Sequence, residues 1–291
     1  MDDAVICSRE AAADPLERAR GFALANPCET LSLETLAAVA GLSPYHFARA
    51  FTARFGVSPM AFARERRMEL AARRLTAPAP PTLVDLAFDL GFESQEGFTR
   101  AFKRAHGVSP GRYRRDHPAL KETPAMSVLA APSSLVMEPA PVRKPGFRFA
   151  GVSGVFSEAD KAGIPALWPR LIQRLPLPGQ RGDDISFGVC WGEGPGGGFH
   201  YMAAVPIADD APVPAGLEVK EVAAQSYLVF RQATDGSDLH PQMQAAAREI
   251  WGVRLPKSGF RLANAPDLEA YPPHFYPDRP DSVEWWIPVE V

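Results

Sequence analysis

The chain has 291 residues, of which 46% are hydrophobic and 22% charged, and its formal net charge is −3. This composition is typical of water-soluble globular proteins, and the length suggests about two domains. No apolar run approaches the ~20 residues that span a bilayer, and the acidic N-terminus lacks the apolar core of a secretory signal. We therefore expect a cytoplasmic protein without contact to a membrane.

The cysteines are few and widely separated, at positions 7, 28 and 190. They lack the close spacing of a metal site, and the six histidines have no partner at such a spacing either. The sequence therefore predicts free thiols, no metal and no cofactor.

The charges are unevenly distributed along the chain. Residues 1–117 carry 16 basic against 14 acidic side chains, whereas the remainder carries 15 against 20. Residues 100–115 contain six basic residues and no acid, and residues 64–74 contain five arginines and two glutamates. Clustered basic charge of this kind is typical of a surface that contacts nucleic acid.

The first half of the chain repeats itself. Residues 43–64 and 94–115 are identical at ten of 22 positions when they are aligned with an offset of 51. The segments before them, LETLAAVAGL and LVDLAFDLGF, also correspond. This internal duplication predicts two copies of one supersecondary structure.

Each copy reads as a helix, a turn and a second helix. Apolar residues at helical spacing are followed by a glycine that suits the left-handed end of a helix, Gly41 or Gly91. Ser43 or Ser94 then caps the second helix, and in the first copy Pro44 stands at its first position. This pattern predicts two helix-turn-helix elements. A third Ser-Pro pair, Ser58-Pro59, predicts a connecting helix of about 17 residues, roughly 25 Å long.

The apolar pairs Phe47/Phe51 and Phe98/Phe102 predict the inner face of each second helix. The opposite faces carry side chains that suit base edges, because Arg can pair with guanine, Gln with adenine and Glu with cytosine. These predicted DNA contacts are Tyr45, Ala48, Arg49 and Thr52 in the first copy and Gln95, Glu96, Thr99, Arg100 and Lys103 in the second. The alternative is a merely solvated face.

Residues 30–115 resemble the DNA-binding domain of the AraC/XylS regulators, most closely in the segment DLAFDLGFESQEGFTRAFKRAHGVSPGRYRR. The resemblance implies a sequence-specific transcription regulator that binds double-stranded DNA. As a hypothesis of mechanism, a small molecule sensed by the second half would shift DNA affinity or contact with RNA polymerase. It also implies that Tyr45, Ala48, Arg49, Gln95, Glu96, Thr99 and Arg100 lie where family members touch bases. The domain stands at the N-terminus, which is a Rob-like order.

The second half of the chain differs from the first in composition and in its hydrophobic pattern. Residues 121–145 are rich in Pro, Ala and Ser and predict a linker between a domain at 1–120 and a domain at 146–291. Beyond the linker, β-type runs at about 185–191, 199–207, 217–231, 258–271 and 283–290 alternate with two helical stretches. The fold class is therefore a multidomain protein, an all-α double helix-turn-helix followed by an α+β domain with a duplicated strand-helix-strand-strand order.

That order, with the closing segments DLEAY and VEWWIPVEV, resembles the GyrI-like effector-binding domain. The resemblance implies a groove in which an acidic residue among aromatic rings binds a small, often cationic effector. Glu269 corresponds to the acid, and a carboxylate beside aromatic faces suits a delocalised cation. The candidate walls are Trp191, Tyr227, Tyr271 and Trp286, with Trp251 more typical of core.

Two other functions remain open from the sequence. Some GyrI-like domains are hydrolases, and Glu269 would then act as general base with Tyr227 or Tyr271 assisting. Alternatively, the second half binds only protein partners and has no pocket.

Overall fold

The structure is a computed structural model that describes residues 14–29, 31–116, 135–138, 140–157, 160–181, 185–194, 198–273 and 275–291. The chain divides into a first compact unit, Met1–Phe47 with Phe55–Ala131, and a second, Ala48–Arg54 with Pro132–Val291. Cys7 and residues 121–134 of the predicted linker lie outside the described residues. Cys28 and Cys190 are free thiols, as predicted.

The described part of the chain up to residue 116 is helical. The helices are α1 (Pro15–Ala25), α2 (Leu33–Ala40), α3 (Pro44–Phe55), α4 (Pro59–Leu75), α5 (Leu83–Asp89), α6 (Gln95–His106) and α7 (Pro110–Asp116). No helix among the described residues is both long and apolar enough to cross a membrane. The central residues of α3, Ala48–Arg54, group with the second unit.

The helix ends fall where the sequence predicts them. The Ser43 hydroxyl accepts a hydrogen bond from the His46 amide (3.3 Å), and the Ser94 hydroxyl accepts one from the Gly97 amide (3.1 Å). Gly41 ends α2 with a φ of 72°, in the left-handed region that glycine adopts without a Cβ penalty. The connecting helix α4 has the predicted 17 residues and is capped by Ser58. These local signals specify both turns of the repeat.

The second copy of the repeat builds a core with α4 and α7. Phe98 and Phe102 are fully buried and pack with Met68, Leu86 and Tyr113. The Phe102 ring centroid lies 5.2 Å from that of Tyr113 and 4.3 Å from that of His106. The inner face predicted for α6 is therefore confirmed, and Phe47 and Phe51 of α3 are also buried.

The second unit is built on one antiparallel sheet. Its strands in the described residues are β1 (Leu135–Met137), β2 (Val142–Lys144), β3 (Phe147–Phe156), β4 (Ser186–Gly194), β5 (Gly198–Ile207), β6 (Glu218–Val222), β7 (Gln225–Asp235), β8 (Asp267–Tyr271) and β9 (Pro280–Val289). Their spatial order is β1-β7-β9-β8-β4-β5-β3-β6, and β2 also pairs with β7. The strand β8 thus lies inside the sheet, between β9 and β4.

The predicted duplication is confirmed by the order of elements. In the first half β3 is followed by the 3₁₀ segment Lys161–Ala166, by α8 (Leu167–Ile172), and by β4 and β5. In the second half β7 is followed by α9 (Leu239–Glu249), the π-helical segment Ile250–Arg254, α10 (Leu255–Lys257), β8 and β9. Each half is therefore a strand, a helical stretch and two strands.

Several predicted bounds differ from the structure. The strand expected at 217–231 is two strands, because the chain turns after Val222 and β7 begins at Gln225. The strand expected at 258–271 is limited to Asp267–Tyr271. Within the predicted linker, β1 and β2 add to the edge of the sheet by pairing with β7. Composition alone does not reveal such short edge strands, which form only where a neighbour offers free backbone groups.

The core of the helical repeat predicts a large difference between two phenylalanines. Phe102→Ala should lower the free energy of unfolding of the helical unit by about 3–5 kcal/mol, because it leaves a cavity among buried rings. Phe88→Ala is the matched control, since that ring is 59% exposed and its loss should cost far less. Urea unfolding followed by far-ultraviolet circular dichroism measures both, and equal losses would contradict this description of the core.

Candidate functional site

The second helix of the second copy, α6, presents a polar face to solvent. Gln95, Glu96, Arg100 and Lys103 are exposed, and Thr99 is half-buried. Phe98 and Phe102 anchor the opposite face in the core. The structure therefore brings together, on one accessible helix face, all five side chains that the sequence predicts as DNA contacts in this copy.

The corresponding residues of α3 are much less accessible. Tyr45 is buried, whereas Ala48, Arg49 and Thr52 are half-buried. The two copies of the repeat are similar in sequence but present their predicted DNA contacts very differently.

The two basic clusters also differ. In residues 64–74, Arg66 pairs with Glu69 (2.7 Å), Arg74 pairs with Asp89 (3.1 Å), and Arg67 donates to backbone carbonyls of Pro27 and Glu29. Arg64 and Arg73 of that cluster are exposed. Around α6 and α7, Arg112 pairs with Asp116 (3.2 Å), and the other exposed basic side chains are Arg100, Lys103, Arg104 and Arg115. The α6–α7 surface is therefore the stronger candidate for phosphate contacts.

In the second unit, β8 carries acidic and apolar residues on opposite faces of the sheet. Leu268 and Ala270 point into a core with Phe149, Phe187 and Val189. Asp267, Glu269 and Tyr271 alternate with them and therefore share the other face. Both carboxylates are deeply buried, Asp267 at 1% and Glu269 at 8% exposed.

Two tyrosines hold the Glu269 carboxylate. Its Oε2 accepts hydrogen bonds from the Tyr201 hydroxyl (2.9 Å) and from the Tyr271 hydroxyl (3.0 Å). Tyr201 reaches it from β5 across β4, where Gly188 pairs with Glu269. A Cβ at Gly188 would lie 2.3 Å from the Tyr201 hydroxyl oxygen and 2.6 Å from Oε2. The absence of a side chain at position 188 is therefore what allows this contact.

Burial dominates the electrostatics of the site. Desolvation raises the pKa of Glu269 to about 7, although the two tyrosine hydrogen bonds and the positive charge of Arg49 act to lower it. Desolvation and the nearby Glu269 charge raise the pKa of Tyr201 and of Tyr271 well above the usual value. The tyrosines are thus neutral donors, and the carboxylate changes its charge near neutral pH.

Three of the four aromatic walls predicted for Glu269 lie on the opposite face of the sheet from it. Trp191, Tyr227 and Trp286 contribute to the core on the opposite face of the sheet. The reason is strand register. Glu269 pairs with Gly188 and Trp285, so positions 188 and 285 lie on the same face of the sheet as Glu269. Because successive residues alternate between the two faces, Trp191, three residues after Gly188, and Trp286, next to Trp285, lie on the opposite face. Only Tyr271 of that set shares the face of Glu269, and those three assignments are therefore corrected.

Other aromatic residues take their place. Tyr201 bonds the carboxylate, and the Trp168 ring of α8 meets the Tyr271 ring edge-on with centroids 4.8 Å apart. The Phe275 ring also packs against Tyr271, with ring centroids 5.2 Å apart. The sequence contained one signal for this arrangement, because a glycine inside a strand, here Gly188, marks a close approach of another group.

Comparison with known proteins agrees with both parts of the structure. A helix-turn-helix domain family matches residues 36–116, and the GyrI-like small molecule binding domain family matches residues 137–290. The two resemblances inferred from the sequence are thereby confirmed.

Among curated proteins, the transcriptional regulator BrlR of Pseudomonas aeruginosa is 31% identical over 151 residues, which are 51% of this chain and 54% of BrlR. The right origin-binding protein of Escherichia coli is 41% identical over 87 residues, 30% of each chain. The regulator MtrA of Neisseria gonorrhoeae is 33% identical over 90 residues, 31% of this chain and 30% of MtrA. The matches span about half or less of these relatives' own length.

The second family match covers more than half of the residues. The chain therefore belongs to the family of proteins with a GyrI-like small molecule binding domain, and it carries a helix-turn-helix domain of the AraC type in front of that domain.

Proposed function

We propose that the chain is a sequence-specific transcription regulator whose affinity for double-stranded DNA responds to a small cationic effector. The observation that carries the proposal is the exposed face of α6, where Gln95, Glu96, Arg100 and Lys103 stand on a helix anchored by Phe98 and Phe102. A capped second helix that exposes such side chains is the form that enters a major groove. The relatives named as transcriptional regulators support the same function.

Both copies of the repeat would recognise the base sequence of the DNA. In α6, Arg100 can donate two hydrogen bonds to guanine, Gln95 suits adenine, and Thr99 can meet a thymine methyl. In α3, Tyr45, Ala48, Arg49 and Thr52 would play the equivalent part. Exposed Arg104 and Arg115 would bind phosphates, which gives affinity and salt dependence without sequence preference.

The effector site would be centred on Glu269. A buried carboxylate gains most from a bound positive charge, because the surroundings screen it weakly. The Tyr271 and Trp168 rings beside it can add cation–π attraction of about 0.5–2 kcal/mol. Asp267 on the same face adds a second negative charge. We therefore propose an organic cation as effector, bound by Glu269, Asp267, Tyr271 and Trp168.

The hydrolase alternative receives no support from the comparisons. A regulator of this kind acts where bacterial transcription takes place, so we propose a cytoplasmic location and a contact of the DNA-bound protein with RNA polymerase. Effector binding can shift DNA affinity only if the effector prefers one of the two states.

Removal of one base-reading arginine should change specificity. Arg100→Ala should weaken binding to the operator, the DNA sequence that the unmodified chain prefers, by about 1–3 kcal/mol. It should also relax base preference in the part of the operator that α6 contacts. The matched control, Arg115→Ala, removes an exposed charge outside α6 and should weaken all sequences alike, with a shallower salt dependence. Enrichment from a pool of random duplex DNA measures both effects. A motif that Arg100→Ala leaves unaltered would contradict the proposal.

Effector affinity should depend on pH near neutrality. Deprotonated Glu269 attracts a cation and protonated Glu269 does not, so affinity should rise with pH through a pKa of about 7 and fall below it. Between pH 6 and pH 8 the charged fraction grows about tenfold, and the affinity for a permanently charged dye such as rhodamine 6G should grow likewise.

The control is Glu269→Gln, which keeps the shape of the side chain, removes its titration and should give weak binding that is independent of pH. Glu218→Gln, on the exposed edge strand β6, should behave as the unmodified chain. A flat profile for the unmodified chain, measured by fluorescence anisotropy, would show that Glu269 is not the effector carboxylate.

A further inference from the structure

Arg49, a predicted base contact, already lies in surroundings that suit a bound cation. It belongs to the segment Ala48–Arg54, which forms one compact unit with Pro132–Val291. Its Nη1 lies 2.6 Å from Oδ2 of Asp267, and the Arg49 side chain is only 15% exposed. Its guanidinium carbon is 4.4 Å from the centre of the Trp251 ring and 6.0 Å from that of Phe199.

Two of these partners, Asp267 and Phe199, lie on the same strands as residues of the effector site proposed above. Asp267 and Glu269 stand two residues apart on one face of β8, and Phe199 and Tyr201 stand two residues apart on β5. The charge of Arg49 acts on Glu269 as well, since it lowers the pKa of that carboxyl group. A guanidinium thus bonds one buried carboxylate, acts electrostatically on a second and lies beside two aromatic rings.

A second contact holds the same helix segment in place. Gly252, in the π-helical segment after α9, faces the backbone of α3 so closely that a Cβ would lie 3.0 Å from the carbonyl carbon of Ala53 and from the amide of Arg54. Side-chain pairing and backbone packing therefore act on one short stretch, Arg49–Arg54.

The internal repeat allows Arg49 to be compared with the equivalent arginine of the second copy. Arg49 and Arg100 occupy equivalent positions, 51 residues apart, yet Arg100 is exposed on α6. A guanidinium that is 15% exposed, bonded to a buried carboxylate and 4.4 Å from the centre of the Trp251 ring is not accessible to a guanine edge. In this state the second copy can read DNA, and the first copy has its arginine engaged elsewhere.

We propose that Arg49 is an internal occupant of the effector site, and that an effector cation displaces its guanidinium and thereby frees α3 for DNA. This inference rests on the proposed function and adds its regulation. The leaving guanidinium also indicates the chemistry of the effector, since a replacement should be planar, delocalised and weakly hydrated. Amidinium, guanidinium or extended aromatic cations fit better than a compact ammonium ion.

The first test requires no effector. Asp267→Asn removes the charge that holds Arg49, so the full chain should bind operator DNA about tenfold more tightly than the unmodified chain. In an Arg49→Ala background the same change should have no effect, because the residue that it releases is absent. Fluorescence anisotropy with a labelled operator measures all four proteins of this cycle.

Gly252→Leu is a second variant that leaves the Arg49, Asp267 and Glu269 side chains chemically unchanged and introduces a side chain against the α3 backbone. It should also tighten DNA binding, which guards against an Asp267→Asn protein that fails to fold. Unchanged DNA affinity in the folded Asp267→Asn and Gly252→Leu proteins would overturn the inference.

The second test measures effector affinity in the absence of DNA. Arg49→Ala should bind rhodamine 6G about tenfold more tightly than the unmodified chain, because the internal competitor is gone. The matched control is Arg100→Ala, which loses the equivalent arginine of the other copy and should leave dye affinity unchanged. Nile red, an uncharged dye, should not distinguish the three proteins.

The dye measurements distinguish a failure of Arg49 displacement from a failure of the proposed effector site. Equal rhodamine affinity in all three proteins would overturn displacement of Arg49 while leaving the effector site in place. Absence of dye binding by all three would instead overturn the proposed effector site, and the displacement with it.

Discussion

The second unit depends on one buried carboxylate. Glu269 lies in an interior strand, and its charge is offset there by two tyrosine hydroxyls at 2.9 and 3.0 Å. This arrangement fixes its surroundings, because Tyr201 can reach across β4 only where Gly188 has no side chain. Two hydrogen bonds do not fully offset the desolvation of a carboxylate, so its pKa stays near 7. Because the negative charge of this carboxylate is only partly stabilised, a bound cation would stabilise it further.

The same constraint links the effector site to DNA recognition under our proposal. The acidic face of β8 carries two carboxylates, and a guanidinium from α3 pairs with one of them. Breaking a buried ion pair without replacing the lost charge is costly, so Arg49 should leave readily only when another cation arrives. The duplicated repeat would then combine an always exposed copy, with Arg100, and a conditional copy, with Arg49.

The parts of the structure that could be predicted from the sequence are those specified locally or by the duplication. Ser43, Ser58 and Ser94 mark helix starts, Gly41 marks an end, and Phe98 with Phe102 defines the inner face of α6. Each of these signals acts within a few residues, so it reads the same in the sequence and in the fold. The strand-helix-strand-strand order of the second unit follows from alternating runs in the same way.

The walls of the proposed effector site could not be predicted, because they depend on how strands pair. Trp191, Tyr227 and Trp286 are aromatic residues on the expected strands, yet a shift of one residue in register places a side chain on the other face. Tyr201 and Trp168 come from elements that lie far from Glu269 in sequence, and only Gly188 hinted at the crossing. The pairing of Arg49 with Asp267 spans 218 residues and has no local signature at all.

The central claim is that effector and DNA act on each other through one arginine, and reciprocity tests it most directly. Operator affinity should be measured with and without saturating rhodamine 6G, and dye affinity with and without saturating operator. The account predicts that each ligand tightens the other by the same factor, about tenfold, and that Arg49→Ala abolishes both effects. Independent binding, or weakening of one ligand by the other, would contradict it.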